Sequence, residues 1–426
     1  MRKRLRTIRH KTFSALTIRN YRLFFVGQSI SLVGTWMQIT AQAWLVLSLT
    51  HSSTDLGLVV ALQTIPVLFL APYGGVIADR VDKRRLMVIL QTFMGFQALT
   101  LGLLCLLGAV RFWEVCALAV ILGLNNSFEM SSRQAFVREM VGRNELRNAI
   151  TLNSVMNNAA RAVGPAVAGI LLATVGDGIC FVLNAASFGA VVTSLVIMDT
   201  AALRQHPPEP RAKGQLREGF AYAARTTDIA VPLVMMTLVG MLAYEFSVSL
   251  PFFATRTFHG GSETFGFMTA SMGIGAVLGG LFTAARGRTG LRPMIISCVG
   301  FGMAILFTAL APALGVALVG LLFVGWASVS FISVGNSTIQ LSAARNMRGR
   351  VMALWQLAFQ GTTPIGGPLI GWVIAETEPR IGLVVGAATC VLASAVGAAI
   401  VRHRLSGTRT PASVALAATE ATTRLA

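Results

Sequence analysis

Apolar stretches of about 20 residues or more recur along nearly the whole chain, and each is long enough to cross the roughly 30 Å hydrocarbon core of a bilayer. They are predicted over residues 22–49, 55–78, 86–109, 113–137, 149–175 and 178–198, then 229–254, 264–285, 292–312, 315–341, 350–375 and 381–401. With 54% hydrophobic and only 12% charged residues, the chain cannot hide its apolar surface inside one soluble core. The reading is an all-α membrane protein with twelve transmembrane helices in two six-helix pseudo-repeats. The segment Met1 to Arg22 is basic and polar and runs straight into an apolar stretch too long for a signal core, so no cleavable leader is expected.

A net charge of +18 would point to nucleic acid in a soluble protein. Here the cations are sorted by side instead. With the N-terminus inside, all the Lys and Arg residues except Arg111, Arg256, Arg380 and Arg161 fall toward the cytoplasm. The first three of these sit on outer loops, and Arg161 lies within a helix. That asymmetry is the positive-inside rule, and it predicts cytoplasmic N- and C-termini. The partners expected are therefore the lipid bilayer, a small-molecule cargo and protons, with no nucleic acid, and the protein is expected to be a monomer.

The only long polar break, Asp199 to Asp228, contains Pro207-Pro208, Pro210 and Gly214 and divides the chain in two. The expected organisation is a basic N-terminus over 1–20, a six-helix bundle over 21–198 and a linker over 199–228. A second bundle over 229–402 and a disordered tail over 403–426 follow. Within the linker, Gln215 to Arg225 can form a short amphipathic helix on the membrane surface. The halves repeat: a shift of about 203 residues carries Arg147 onto Arg350 and Gly164-Pro165 onto Gly367-Pro368. Parallel halves of this kind place a substrate site between them, near the midplane.

Between the second and third spans lies Gly74-Gly75-Val76-Ile77-Ala78-Asp79-Arg80-Val81-Asp82-Lys83-Arg84-Arg85. It reads as a tight charged turn in which paired glycines allow close backbone approach, one carboxylate sits at a helix end and cations face the cytoplasm. This hairpin resembles the loop signature of the major facilitator superfamily: a Gly, three intervening residues, Asp-Arg, then a basic cluster. Gly75, Asp79, Arg80, Lys83 and Arg84 fit it, and Asp82 stands where the superfamily usually carries Gly. Arg19 to Phe24, Gly34 to Gln38, Trp44 to Leu47, Leu146 to Asn153 and Gly349 to Leu354 resemble one bacterial branch, the enterobactin-exporter-like group with its macrolide-efflux members. The resemblance covers roughly residues 15–400 and implies proton-driven secondary export from a bacterial cytoplasm, across the inner membrane. In the family fold the Asp79 loop lies beneath the helix beginning near Gly349-Arg350, so Asp79 is expected to act as a conformational latch. Gly164, Pro165 and Gly169 resemble the Gly-Pro signature of proton-coupled antiporters, with Ala168 replacing one glycine of that pattern.

Charged groups inside a bilayer cost about 2.5–3.5 kcal/mol even on insertion scales, so each needs a reason. Glu129, Arg161 and Glu245 stand out. The depths of Glu129 and Arg161 match well enough for an ion pair between neighbouring helices. Arg133, four residues after Glu129 on the same helical face, offers a second partner. A carboxyl moved between a low-dielectric site and an arginine changes its proton affinity, which is a physical means of loading and releasing a proton. Glu245 is the other candidate, with Tyr244 beside it as a hydrogen-bond donor; alternatively it caps a helix broken near Pro251. If the family architecture holds, Gln38, Thr40, Gln42, Asn125, Asn126, Asn336 and Gln340 supply polar groups to a central cavity. Trp36, Phe128, Phe246 and Trp326 would then suit an aromatic or hydrophobic cargo.

The five cysteines lie in apolar helices without metal spacing and are expected to be free. No nucleophile elbow, phosphate loop or dinucleotide fingerprint is present, so the chain is expected not to be an enzyme, to need no cofactor or metal and not to hydrolyse ATP. The favoured function is proton-coupled export of small amphipathic molecules such as a siderophore or drug. The alternatives are lysophospholipid movement between leaflets and a non-transporting membrane sensor or scaffold.

Overall fold

A computed structural model describes residues 14–203, 215–344 and 347–407; the side chains at 71, 72, 74–79, 143, 144, 147, 158, 215–217 and 405–407 lie outside the described set. The first half comprises α1 (Arg19–Thr50), α2 (Ser53–Arg80), α3 (Lys83–Leu106), α4 (Phe112–Gly142), α5 (Asn148–Thr174) and α6 (Asp177–Val196). The short α7 (Gln215–Arg225) precedes the second half: α8 (Thr227–Leu242), α9 (Phe246–Phe252), α10 (Ser262–Arg286), α11 (Leu291–Ala309), α12 (Leu314–Ser342), α13 (Arg348–Gln360), α14 (Thr363–Glu376) and α15 (Pro379–Gly407). Helical hydrogen bonding runs continuously from α4 into α5. The break between them is Gly142, whose φ of 68° is a left-handed conformation that favours glycine.

Among the described residues eleven stretches are long and apolar enough to span a membrane, ten of them single helices and one, Thr227–Thr257, a series of helical pieces. The eleventh crossing in chain order is made by α13 and α14 in series, of 13 and 14 residues, each too short alone. They are separated at Gly361-Thr362, and Pro364 in the first turn of α14 supplies a preset φ where its missing N–H costs nothing. The seventh crossing is broken too. Helix α8 stops at Leu242, α9 starts at Phe246, and a π-helical stretch over Phe253–Thr257 completes it. The sequence reading takes the eleventh crossing as one helix and allows a break in the seventh only near Pro251; the observed seventh-crossing break lies earlier, at Ala243 to Glu245.

Helices α10 and α12 interlock through glycine. A Cβ on Gly275 would stand 1.9 Å from the Leu322 carbonyl oxygen, and one on Gly325 would stand 1.8 Å from that of Met272. Without a hydrophobic drive between helices in lipid, such backbone approach is what holds them. The halves meet through two long crossings, α2 with α14 and α5 with α10. Gly57 faces the Gly367 carbonyl, Ser53 donates to the Gly371 carbonyl at 2.7 Å, and Gly169 lies against Gly266. Arg256 adds a hydrogen bond to the His51 carbonyl at 3.2 Å. All these contacts lie toward the end of the bundle opposite the described termini. Toward the terminal end, among the described residues, α2 touches α13 only slightly.

The terminal end is tied together within each half. Asp82 caps α3, its carboxylate accepting from the Arg85 N–H at 2.9 Å, which is the work this residue does in place of glycine. Lys83 pairs with Glu139 of α4 at 2.8 Å, and Arg84 donates to the last carbonyls of α6, those of Leu195 and Val196. In the second half Glu218 of α7 pairs with Arg350 at 2.6 Å, and Arg404 donates to the Ala224 and Arg225 carbonyls. The stretch expected to be amphipathic is thus a helix that clamps the start of α13 to the end of α15.

Candidate functional site

At 1.5 Å rise per residue, Arg161 sits about 20 Å into α5, close to the middle of the span. Its guanidinium lies 4.7 Å over the Trp36 ring of α1, and it is within electrostatic reach of Tyr244 at the end of α8 in the other half. The backbone there cannot move aside: a Cβ on Gly164 would meet the Trp36 Cβ at 2.6 Å, and one on Gly273 would meet Ala162 of α5 at 2.4 Å. Gly164 therefore seats α1 on α5 and Gly273 seats α10 on α5, which presents Arg161 at the junction of the halves, just below the contacts that close the far end.

Glu129 does not join Arg161. Its carboxylate pairs with Arg133 at 3.3 Å and accepts from the Gln91 amide of α3, also at 3.3 Å. Of the two partners the sequence offered, Glu129 takes Arg133 within α4, because the i,i+4 partner is nearer and Gln91 completes the carboxylate's shell. Glu129→Ala should therefore destabilise the protein by removing the partner of Arg133, whose side chain is only 22% exposed. The expected cost lies toward the low end of the roughly 3–5 kcal/mol of a broken buried pair. Glu129→Gln, which keeps a hydrogen-bonding group, should cost less. Thermal melts of the two purified variants read the difference, and equal melts would show that Arg133 does not depend on Glu129.

Glu245 occupies the break between α8 and α9. It is buried, one carboxyl oxygen has no hydrogen-bond partner among the described residues, and it caps no N–H with its side chain. Tyr244 does not donate to it; the phenol donates to the Ser328 carbonyl of α12 at 2.9 Å. Glu245 instead lines a small crevice with Phe246, Ser249, Ile305, Gly382 and Gly386, on the face of the crossing toward α11 and α15. It also approaches α14, since a Cβ on Gly366 would come within 2.9 Å of its carboxyl oxygen.

Two of the amides expected in the cavity, Gln38 and Asn125, are spent inside the first half. Asn184 of α6 donates to Gln38 at 2.6 Å, Gln38 donates to Gln97 of α3 at 3.1 Å, and Ser187 donates to Asn184. Asn125 donates to the Leu90 carbonyl. Gln38, Gln42 and Asn125 are all buried, and the Thr40 hydroxyl bonds its own helix at the Trp36 carbonyl. Gln97, Gln91 and Asn184, polar residues within apolar runs, carried the signal for this network in the sequence. Asn126 keeps partial exposure, as does Asn336, which accepts from Gln340. Trp326 packs on Phe282 between α12 and α10, and Phe246 is buried beside Tyr244 and Phe301. Tyr244, the residue within electrostatic reach of Arg161, packs against Phe359 and the fully buried Phe301.

In the gating loop Lys83 and Arg84 are engaged as described and Arg80 is exposed; the side chains of Gly74, Gly75 and Asp79 lie outside the described residues. Pro165 and Gly169 lie in the buried part of α5 with Gly164, with Gly169 against Gly266. The cysteines are free, and among the described residues no cluster could hold a metal ion.

The model of a transmembrane secretion effector family matches residues 10–421. Among curated proteins the chain is 26% identical over 367 residues to the enterobactin exporter EntS of Escherichia coli O1:K1, covering 84% of this chain and 86% of the relative. It is 27% identical over the same length and shares to the enterobactin exporter EntS of Shigella boydii serotype 18. Among solved structures, a bacterial homologue of the human lysosomal transporter Spinster, inward-facing and unoccupied, superimposes with a TM-score of 0.70 at 14% identity, covering 91% of this chain and 97% of that one. A POT family transporter in complex with 5-aminolevulinic acid gives 0.74 at 10% identity, covering 89% and 95%. Two six-helix halves closed at one end, the loop signature between α2 and α3 and a family match over almost the entire length agree: the chain belongs to the transmembrane secretion effector family of major facilitator superfamily transporters.

Proposed function

We propose that the protein is a proton-coupled exporter of small amphipathic molecules, working by alternating access in a bacterial inner membrane. The basic end of the bundle, with both termini, then lies in the cytoplasm, and a cleft between the halves opens to that side. The bundles over 21–198 and 229–402 move as two bodies joined by the linker over 199–228, and the protein acts as a monomer. Cargo enters from the cytoplasm or inner leaflet, rests against Trp36, Asn126, Tyr244 and Phe359, and leaves when the far-end contacts open. Relatives named as exporters support the outward direction.

The observation that carries coupling is Glu245. A buried carboxyl without a partner is costly as an ion, and taking up a proton removes that cost. It sits at a helix break beside Gly366, where α8 meets the helix that closes the far end, so a change in its charge acts on the contact that must open. Glu129 is already neutralised by Arg133 and is less suited to the role. Everted vesicles containing the protein should accumulate an amphipathic dye when acidified inside, and a protonophore should abolish the uptake. Accumulation that survives collapse of both pH and voltage gradients would refute antiport and favour facilitated diffusion or lipid flipping.

A further inference from the structure

Arg161 is left without an anion. Glu129, the carboxylate at matching depth, is held by Arg133 and Gln91. Glu245 faces the crevice toward α11 and α15. Among the described residues no acceptor takes a hydrogen bond from the Arg161 guanidinium, although the group carries five N–H donors and cannot shed its charge. Its guanidinium carbon lies over the Trp36 ring, 4.7 Å from the centroid. The side chain is only partly exposed, at mid-membrane depth, where an uncompensated charge is retained for a purpose.

The arrangement has a definite chemical meaning. The contact with Trp36 uses no N–H group, so the fork that grips two oxygens at once keeps its donors. Trp36 provides a planar apolar surface beside that fork. Across the interface stand Tyr244, oriented by the Ser328 carbonyl, and Phe359, 5.3 Å from it in an edge-on contact. We infer that Arg161 and Trp36 form a subsite for the acid group of an aromatic, anionic cargo, with the oxygens on the guanidinium edge and the ring between Trp36 and the Tyr244 wall. This inference rests on the export reading above and narrows it from amphipathic molecules to amphipathic acids. A single arginine in an aromatic setting disfavours a small inorganic anion, which would gain nothing from the rings. An anion leaving the cell also moves charge in the direction the membrane potential favours, so both components of the proton gradient drive its export.

Binding separates this from the transport reading. Purified full-length protein in lipid nanodiscs is titrated by calorimetry with 2-naphthoate and with 2-naphthamide, its neutral counterpart of the same shape. The wild type should bind the acid at least about tenfold more tightly, as expected for one charge-assisted bidentate pair. Arg161→Gln should weaken naphthoate about 10- to 100-fold and leave the naphthamide affinity unchanged. Arg161→Lys, which keeps the charge but not the planar fork, should fall between, and Trp36→Leu should weaken both probes. Equal affinity for the two probes, no binding of either, or a folded Arg161→Gln variant with undiminished naphthoate affinity overturns the subsite. If Arg161→Gln does not fold, a folded Arg161→Lys with wild-type preference for the acid overturns it equally. Arg161-dependent naphthoate binding in a protein whose vesicles accumulate nothing would uphold the subsite and reject export.

Discussion

Glu245→Gln should abolish accumulation of cargo against its gradient, collapsing the inside-to-outside ratio in everted vesicles to unity, while exchange between labelled and unlabelled cargo continues. Glutamine keeps the shape and the unbonded oxygen that approaches Gly366, so the break between α8 and α9 has no reason to reorganise. What it loses is the ability to alternate between charged and neutral forms. A transporter in which this group is permanently neutral can still rock between its two states with or without cargo, and the cycle no longer requires a proton. The size of the effect follows from the gradient itself: a difference of one pH unit corresponds to about tenfold accumulation for one proton exchanged, and all of it disappears. Glu129→Gln, measured alongside, should retain most of the uphill transport because that carboxylate is already committed to Arg133. If Glu245→Gln pumps normally and Glu129→Gln does not, the proton site is in the first half and the buried carboxyl at the helix break is structural.

The second large effect is expected where the halves touch. A Cβ on Gly169 would stand 2.6 Å from the Gly266 Cα, and one on Gly266 would stand 2.3 Å from the Gly169 Cα, both against backbone that cannot rotate away. Gly169→Val or Gly266→Val must push α5 and α10 apart, at a cost of about 1–3 kcal/mol for overpacking. That cost is borne only in the state in which these helices meet, so the balance shifts roughly 5- to 150-fold toward the state open at the far end. Spin labels at Val175 and Glu263, which flank this contact in the two halves, should report a longer distance population in either variant. Vesicle transport should slow in proportion, since the state open to the terminal end becomes scarce. A distance distribution identical to that of the parent would mean that this glycine crossing does not close the far end.

Much of the architecture was legible in the residues because membrane insertion is decided locally. Each apolar run carries its own information, and every expected span lies within a few residues of a helix or pair of helices. The break at Gly361-Thr362 was not legible, and that of the seventh crossing was legible only as an alternative, placed near Pro251 rather than at Ala243 to Glu245. In the seventh crossing, a buried carboxyl and a close approach to Gly366 interrupt a run whose composition alone favours helix; in the eleventh, Pro364 marks a helix start whose position depends on packing. Gln38 and Asn125 show the same limit at the level of sites. An amide on an apolar helix must bond something, but whether its partner is a cargo or Asn184, Gln97 and the Leu90 carbonyl depends on which helices neighbour it.

Length, hydropathy and the one-sided distribution of cations determined by themselves that the chain crosses a membrane about twelve times in two related halves, and the hairpin between α2 and α3 marked its superfamily. These are properties of segments, settled by transfer of each segment between water and lipid. Tertiary structure alone decided the pairing of the buried charges. From sequence Glu129 had two possible partners, Arg161 at matching depth and Arg133 on its own helical face. Helix rotation and the nearer Arg133 took Glu129 away, leaving Arg161 over Trp36 at the interface and Glu245 without a partner. Electrostatic partnership at low dielectric depends on angstroms and on azimuth about each helix axis, and neither is written in the spacing of residues along a single span.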